Sequence, residues 1–215
     1  MTNLAGAMFF MCITQFMGPY MMTTATFQNE RPVFLREYAN KMYTVFPYYV
    51  AKVLSDIPAF IISPLVFTLM TYFTIGFTIS TLQFFGFYVS LAMCTLAAIS
   101  FGYMISTAFS SPATALQIAP IVVMPLLLVG GFFSNAGTMP LYIEIFSYIS
   151  PFLYAFNNLS KLEFSNNPSP AAANMLAFLS IEREFYMGIV YLAILTIVVQ
   201  LLSFILLRVL VEKFQ

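Results

Sequence analysis

The chain has 215 residues, of which 61% are hydrophobic and 7% charged, with Lys+Arg 8 against Asp+Glu 8 and a mean hydropathy of +0.91. Soluble domains are about 45–50% apolar and about 25% charged, so this chain lacks the polar surface a water-soluble globule needs, and its solvent is lipid. The absence of histidine and the two cysteines exclude His-based acid–base chemistry, the usual Zn and haem sites and a disulfide framework, and the zero net charge argues against a nucleic-acid partner.

A membrane helix needs about 20 mostly apolar residues. Residues 4–27 supply the first such run; it has no basic leader and is too long for a signal-peptide core. Segment 28–56 follows and holds Glu30, Arg31, Arg36, Glu37, Lys41, Lys52 and Asp56, most of the ionisable groups. Over 33–43, Phe34, Tyr38 and Met42 recur every four residues, which predicts an amphipathic helix on the membrane surface, broken by Pro47. A second interfacial turn then carries Val50, Val53, Leu54 and Ile57 on one side, and Lys52 and Asp56, four apart, are placed to pair. By pattern alone, this segment is either a positive anchor on the inner side of the membrane or a docking helix for a cytoplasmic partner. Its mixed signs favour docking, because a lipid anchor is mostly basic.

Residues 57–79 and 84–109 read as the next two spans. A kinked fifth-type span, 113–133, follows Pro112 and carries Pro120, Pro125 and Gly130-Gly131, breakers that membrane helices tolerate when neighbours satisfy the freed backbone. Region 135–184 is expected outside. Within it, 141–164 reads as two short interfacial or re-entrant helices around Pro151, and SNNPSPAAAN (165–174) as a loop. The last span is 185–210. Cys12 and Cys94, inside apolar runs, read as small buried residues. Arg31, Arg36, Lys41, Lys52, Arg208 and Lys213 fall on one side of this topology, with only Lys161 and Arg183 on the other. The charged segment and the C-terminus are therefore expected to be cytoplasmic and the N-terminus outside. The fold expected is an all-α, polytopic membrane protein with five transmembrane helices, a cytoplasmic amphipathic helix and external re-entrant helices. Five crossings starting outside suggest that a segment precedes these residues.

The stretch ERPVFLREYANKMYTVFPYYVAKVLSDIP (30–58) resembles the connection between the second and third membrane helices of G-subfamily (White-type) ABC transporters. Ser111 to Phe164 is similar to that family's fifth helix, its GGFF-type turn and its S-Y-x-S-P-F-x-Y-A re-entrant helices, and the final apolar run to its last helix. The resemblance implies one partial ABC-2 type transmembrane domain over 1–215, without the family's first helix and its external-loop cysteines. It makes 28–56 the coupling segment, with Glu30, Arg31, Arg36, Glu37 and Tyr38 meeting a nucleotide-binding domain. It places Thr14, Gln15 and Met17 of the first span, with Pro120, Val123, Met124 and Leu127, on a substrate cavity at a dimer two-fold. Phe132 and Phe133 become an apolar plug below the exit. Each has a plainer alternative: ordinary helix packing for the cavity faces, a helix end anchored by Phe for GGFF.

No G-x-x-x-x-G-K-S/T phosphate cradle occurs, so the chain is not expected to be an enzyme by itself; ATP and Mg would act in a partner domain. Other expected partners are membrane lipid and a second transmembrane domain. The cavity faces carry no charge, which suits apolar or amphipathic cargo such as lipid, sterol or xenobiotic. Asn158-Leu159-Ser160 fits a glycosylation sequon in a helix of doubtful access. Glu144 and Glu163 are either interfacial helix charges or groups meeting substrate near the exit. The implied function is the membrane part of an ATP-driven exporter; the alternative is a non-transporting structural subunit of a larger membrane complex built on the same scaffold.

Overall fold

The computed structural model describes residues 2–78, 80–133, 140–165, 169–179 and 184–212. Among them the chain forms α1 (Thr2–Ala39), α2 (Val45–Ile75), α3 (Thr81–Ala108), α4 (Pro112–Leu128), α5 (Leu141–Ser147), α6 (Pro151–Ser165), α7 (Pro170–Phe178) and α8 (Phe185–Glu212). Helices α1, α2, α3 and α8 are long and apolar enough to cross a membrane. The fifth expected crossing is α4, whose 17 residues reach ~26 Å, short of the ~30 Å hydrocarbon core.

The predicted surface helix over 33–43 is not a separate element. α1 runs unbroken from Thr2 to Ala39, so the first span and the charged stretch are one helix of 38 residues. Pro32 costs it a single backbone bond and does not end it. What ends α1 is Lys41, at φ 57: Lys41 N–H donates to Tyr38 O at 2.9 Å and Met42 N–H to Glu37 O at 3.2 Å, the paired bonds of a left-handed C-terminal cap. Pro47 breaks nothing, because it lies in the first turn of α2, where its N–H would have no helical partner. A second correction concerns 165–174, whose later part begins α7. Ser169 Oγ accepts from Ala171 N–H at 3.3 Å, Pro170 opens the helix, and the alanines propagate it.

α3 is the centre of the packing, with α1, α8, α6 and α2 against it. Between helices in lipid, close packing and interhelical hydrogen bonds replace the hydrophobic drive, so small residues mark the seams. At Gly102 a Cβ would sit 3.0 Å from both Tyr20 O and Thr23 Cβ, so the two backbones nearly touch. Hydroxyls stitch the same seam. Thr24 Oγ1 donates to Gly102 O at 3.5 Å, Ser106 Oγ to Thr24 O at 3.3 Å and Thr95 Oγ1 to Gln15 O at 3.4 Å. That last carbonyl lies four residues before Pro19, which has no N–H to offer it.

The helices leave a charged end and an opposite end. At the charged end stand Glu30, Lys52, the C-terminus of α3 and the last turns of α8, where Tyr49 of α2 meets Phe204 at 5.5 Å between ring centroids. At the opposite end lie α5, α6 and α7. The two short helices expected around Pro151 are present as α5 and α6. α6 is buried on nearly every side; Ser150 Oγ ties its start to Leu126 O of α4 at 2.7 Å. Arg183 and Lys213, used in the charge count, lie outside the described residues.

Candidate functional site

The charged end is built from helix-spaced side chains. Lys52 Nζ pairs with Glu30 Oε1 across α1 and α2 at 2.8 Å and with Asp56 Oδ1 one turn on at 3.8 Å. Tyr103 of α3 donates its hydroxyl to Asp56 Oδ2. One network therefore joins three helices. The sequence marked the Lys52–Asp56 pair but not Glu30 or Tyr103 as its partners, because those contacts cross between elements.

Of the expected coupling residues, Arg31 differs from the rest. It is 4% exposed, and Nη1 donates to Phe109 O at 2.6 Å, beside Gln28 Nε2, which donates to Phe109 O at 2.7 Å and Ser106 O at 2.6 Å. The cation and the amide cap the last carbonyls of α3, where the helix dipole favours positive charge. Arg31 is thus turned inward and cannot present itself on the surface. Arg36 is exposed, and Glu37 and Tyr38 are half-buried. Glu37 accepts from the Tyr43 hydroxyl; burial, and then this bond to a carboxylate, push the Tyr43 hydroxyl up to about 12. Phe34 stacks on Tyr48 at 4.0 Å, and Tyr43 lies parallel to Tyr48 at 5.8 Å, so the turn between α1 and α2 is clamped by aromatic rings.

A groove of about 390 Å³ runs between α1, α2 and α3. Its α1 wall is Thr14, Gln15, Gly18, Met22 and Thr26, and its α2 wall is Lys52, Asp56, Ala59, Phe60 and Ser63. Apart from Met22 and Phe60, both walls carry polar or small residues at helical spacing, a pattern legible in the sequence. Gln15 is 4% exposed, and its Nε2 has no hydrogen-bond partner among the described residues.

Of the expected cavity residues, Thr14 and Gln15 line this groove, and the α4 residues do not. Val123 is buried in the α1–α4 core with Met17 and Leu127 packed against it; Pro120 is half-buried and Met124 is 58% exposed on the outer face of α4. Tyr20 bonds α1 to α4 by donating to Ala119 O at 3.0 Å.

At the opposite end, Phe132 stacks on Phe9 of α1 at 5.0 Å and meets Phe156 of α6 edge-on at 5.8 Å, while Phe133 is 61% exposed. Gly130 and Gly131 are there for space and conformation. A Cβ on Gly130 would fall 2.8 Å from Phe152 Cβ, and Gly131 has φ +90. The glycines form the turn that lets Phe132 fold back into this aromatic cluster.

Asn158 is 2% exposed, enclosed where α6 meets α8 at Gly188; a glycan has no room there. Glu163 is also 2% exposed and is no interfacial charge: it accepts from Thr78 Oγ1 at 3.0 Å and from Thr78 N–H at 3.3 Å, tying the α2–α3 connection to α6. Glu144, in the first turn of α5, accepts from the Tyr148 hydroxyl at 3.0 Å. No group of three or more His, Cys, Asp or Glu converges on a metal position among the described residues.

Residues 1–164 match the family model described as ABC-2 type transporter. The chain is 40% identical over 160 residues to Protein white of Drosophila melanogaster, covering 73% of this chain and 23% of that protein. It is 31% identical over 137 residues to ABC transporter ATP-binding protein/permease wht-1 of Caenorhabditis elegans (64% and 20% covered), and 30% over 162 residues to ABC transporter G family member 22 of Arabidopsis thaliana (75% and 21%). The chain thus spans less than a quarter of the length of these relatives. It belongs to the ABC-2 type transporter family, as a membrane domain of the White-type G-family ABC transporters.

Proposed function

We propose that this chain is the membrane-spanning part of an ATP-driven exporter of apolar or amphipathic substrates, such as lipid, sterol or xenobiotic. The observation that carries this reading is the continuity of α1: one unbroken helix holds Thr14 to Met22 in the groove and Glu30 to Tyr38 at the charged end. A partner pressing on Arg36, Glu37 and Tyr38 would move the groove wall directly, with no loop to absorb the motion. That partner is a nucleotide-binding domain, which supplies ATP and Mg; the charged end then faces the cytoplasm. Phe10, Ile121 and Met124 leave an apolar face on α1 and α4 exposed, and pairing with a second transmembrane domain, identical or related, would cover it. In this arrangement Pro120, Met124 and Leu127 border the central cavity, Val123 backs them from the α1–α4 core, and Phe132 and Phe133 close its exit.

Native mass spectrometry of the complex purified in mild detergent, with peptide mapping of every chain present, tests this. A phosphate-loop sequence in a co-purifying chain, or in a longer form of this one, is the expected result. An assembly with no such ATPase sinks the exporter reading and leaves the structural-subunit alternative standing.

A further inference from the structure

Arg31 is buried, yet no ion pair among the described residues includes it. A guanidinium inside a membrane protein is costly to keep without a task, and the task is read from where its bonds go. Arg31 Nη1 donates to Phe109 O at 2.6 Å, and Gln28 Nε2 donates to the same oxygen at 2.7 Å. Both lone pairs of one carbonyl are therefore filled from α1. A single cation nearby would satisfy the dipole of α3; two donors converging on one oxygen also fix where that oxygen stands. Phe109 is the residue that ends α3, and its backbone is extended, with φ −112 and ψ 142. Only Ser110 and Ser111 separate it from Pro112, which opens α4. Ser111 is extended too, with φ −108 and ψ 130, the region to which a following proline confines it, and Pro112 has its own φ fixed by the ring. Two residues reach at most ~7 Å, so the link from the clamped carbonyl to α4 is short and stiff. A second tie stands near the middle of both helices, where the Tyr20 hydroxyl of α1 donates to Ala119 O of α4 at 3.0 Å. α1 thus holds α4 at two levels.

We propose that Arg31, with Gln28, is a positioning residue that makes α4 follow α1. A displacement of the charged end of α1 is delivered through the Phe109 carbonyl and the two-serine link to the start of α4. The two helices then move as a pair, where otherwise α1 would slide past a stationary α4. A charge-assisted bond suits this work, because it is shorter and stronger than a neutral one. What drives α1 rests on the exporter reading, but the tie itself is measurable without nucleotide. A cap alone would protect the end of α3 and transmit nothing to α4.

Two measurements on the protein, in the complex in which it purifies, separate these roles. The first needs no nucleotide: hydrogen exchange in mild detergent compares the parent with Arg31→Met and Arg31→Lys. Arg31→Met should speed exchange about tenfold, the scale of one hydrogen bond to a charged group, at 113–118 of α4 as well as at 105–109 of α3. Arg31→Lys should restore most of the protection. Faster exchange confined to 105–109 is the mark of a cap alone and overturns the proposal. The second measurement follows motion. Both native cysteines are buried, so a bimane fluorophore is placed on Val33→Cys of α1 or on Gln117→Cys of α4, both exposed positions, after the accessible cysteines of any co-purifying chain are replaced. ATP with orthovanadate should shift the emission of both labels in the parent. With Arg31→Met, the α1 label should still respond and the α4 label should lose its response, which Arg31→Lys restores. An α4 response that survives Arg31→Met overturns the proposal. Silence of both labels in the parent instead sinks the exporter reading, and the exchange result then decides the tie by itself. Should Arg31→Met fail to fold, Gln28→Leu withdraws the other donor from the same carbonyl and should give the same pattern; unchanged exchange at 113–118 in that variant overturns the proposal.

Discussion

Lys41 occupies the left-handed region at φ 57, a conformation that costs an L side chain about 1–2 kcal/mol. Glycine carries no such cost at that position, so Lys41→Gly is expected to stabilise the α1–α2 turn by about 1 kcal/mol. Thermal unfolding in mild detergent reads this out; a lower midpoint would show that the Lys41 ammonium makes an interaction worth more than the strain. The neighbouring hydroxyl gives the turn a pH dependence. Tyr43 holds its proton up to about 12 in the fold, above the value of about 10 of an unfolded chain. The stabilisation is therefore fully present below about 10 and is lost as the pH rises through about 12. At the same scale, Arg31 shows what a residue type cannot reveal. A cation in a charged stretch looks like surface, yet this one closes the carbonyl end of α3 through a contact 78 residues away in the chain.

Among the elements, α6 and α8 approach so closely at Gly188 that a methyl group there would lie 1.9 Å from Asn158 Oδ1. Gly188→Ala should therefore destabilise the protein by about 1–3 kcal/mol, the usual cost of overpacking. Adding Asn158→Ala removes the obstructing amide and should recover most of that loss. Failure of the second change to rescue the first would mean that α8 is displaced at other contacts as well. Helix existence was well marked by apolar length, but helix ends were not. From the sequence, Pro47 and Ser169-Pro170 read as interruptions, because proline removes a backbone donor that a helix interior needs. Here each stands in a first turn, where its missing N–H has no helical partner to lose. The continuity of α1 past Pro32 was hidden for a related reason: its stabilising partners, at Ser106 and Phe109, sit on another helix.

For the molecule as a whole, the two ends differ in chemistry as the sequence indicated, with Arg36, Lys41, Lys52 and Arg208 at one and Lys161 at the other. Sidedness is open to direct measurement, since both native cysteines are buried. Arg36→Cys and Tyr142→Cys both replace exposed residues. In intact cells a membrane-impermeant maleimide should label the second and spare the first until the membrane is permeabilised; the reverse pattern would invert the topology. The groove was half legible. The resemblance puts Thr14 and Gln15 on a cavity whose opposite wall is α4. The structure sets them against Lys52, Asp56 and Ser63 of α2, a pairing that depends on how α1 and α2 lean on α3 and that no local pattern encodes.

The near-contact of backbones at Gly102 has a mechanical meaning. It lies against Tyr20 and Thr23, close to the midpoint of α1, while the ends of that helix carry the aromatic cluster at Phe9 and the charges from Glu30 onward. A stiff rod supported at its middle behaves as a see-saw. A tilt about that fulcrum that drew the charged end inward would carry Phe9 outward, so the two ends of α1 would move in opposite senses.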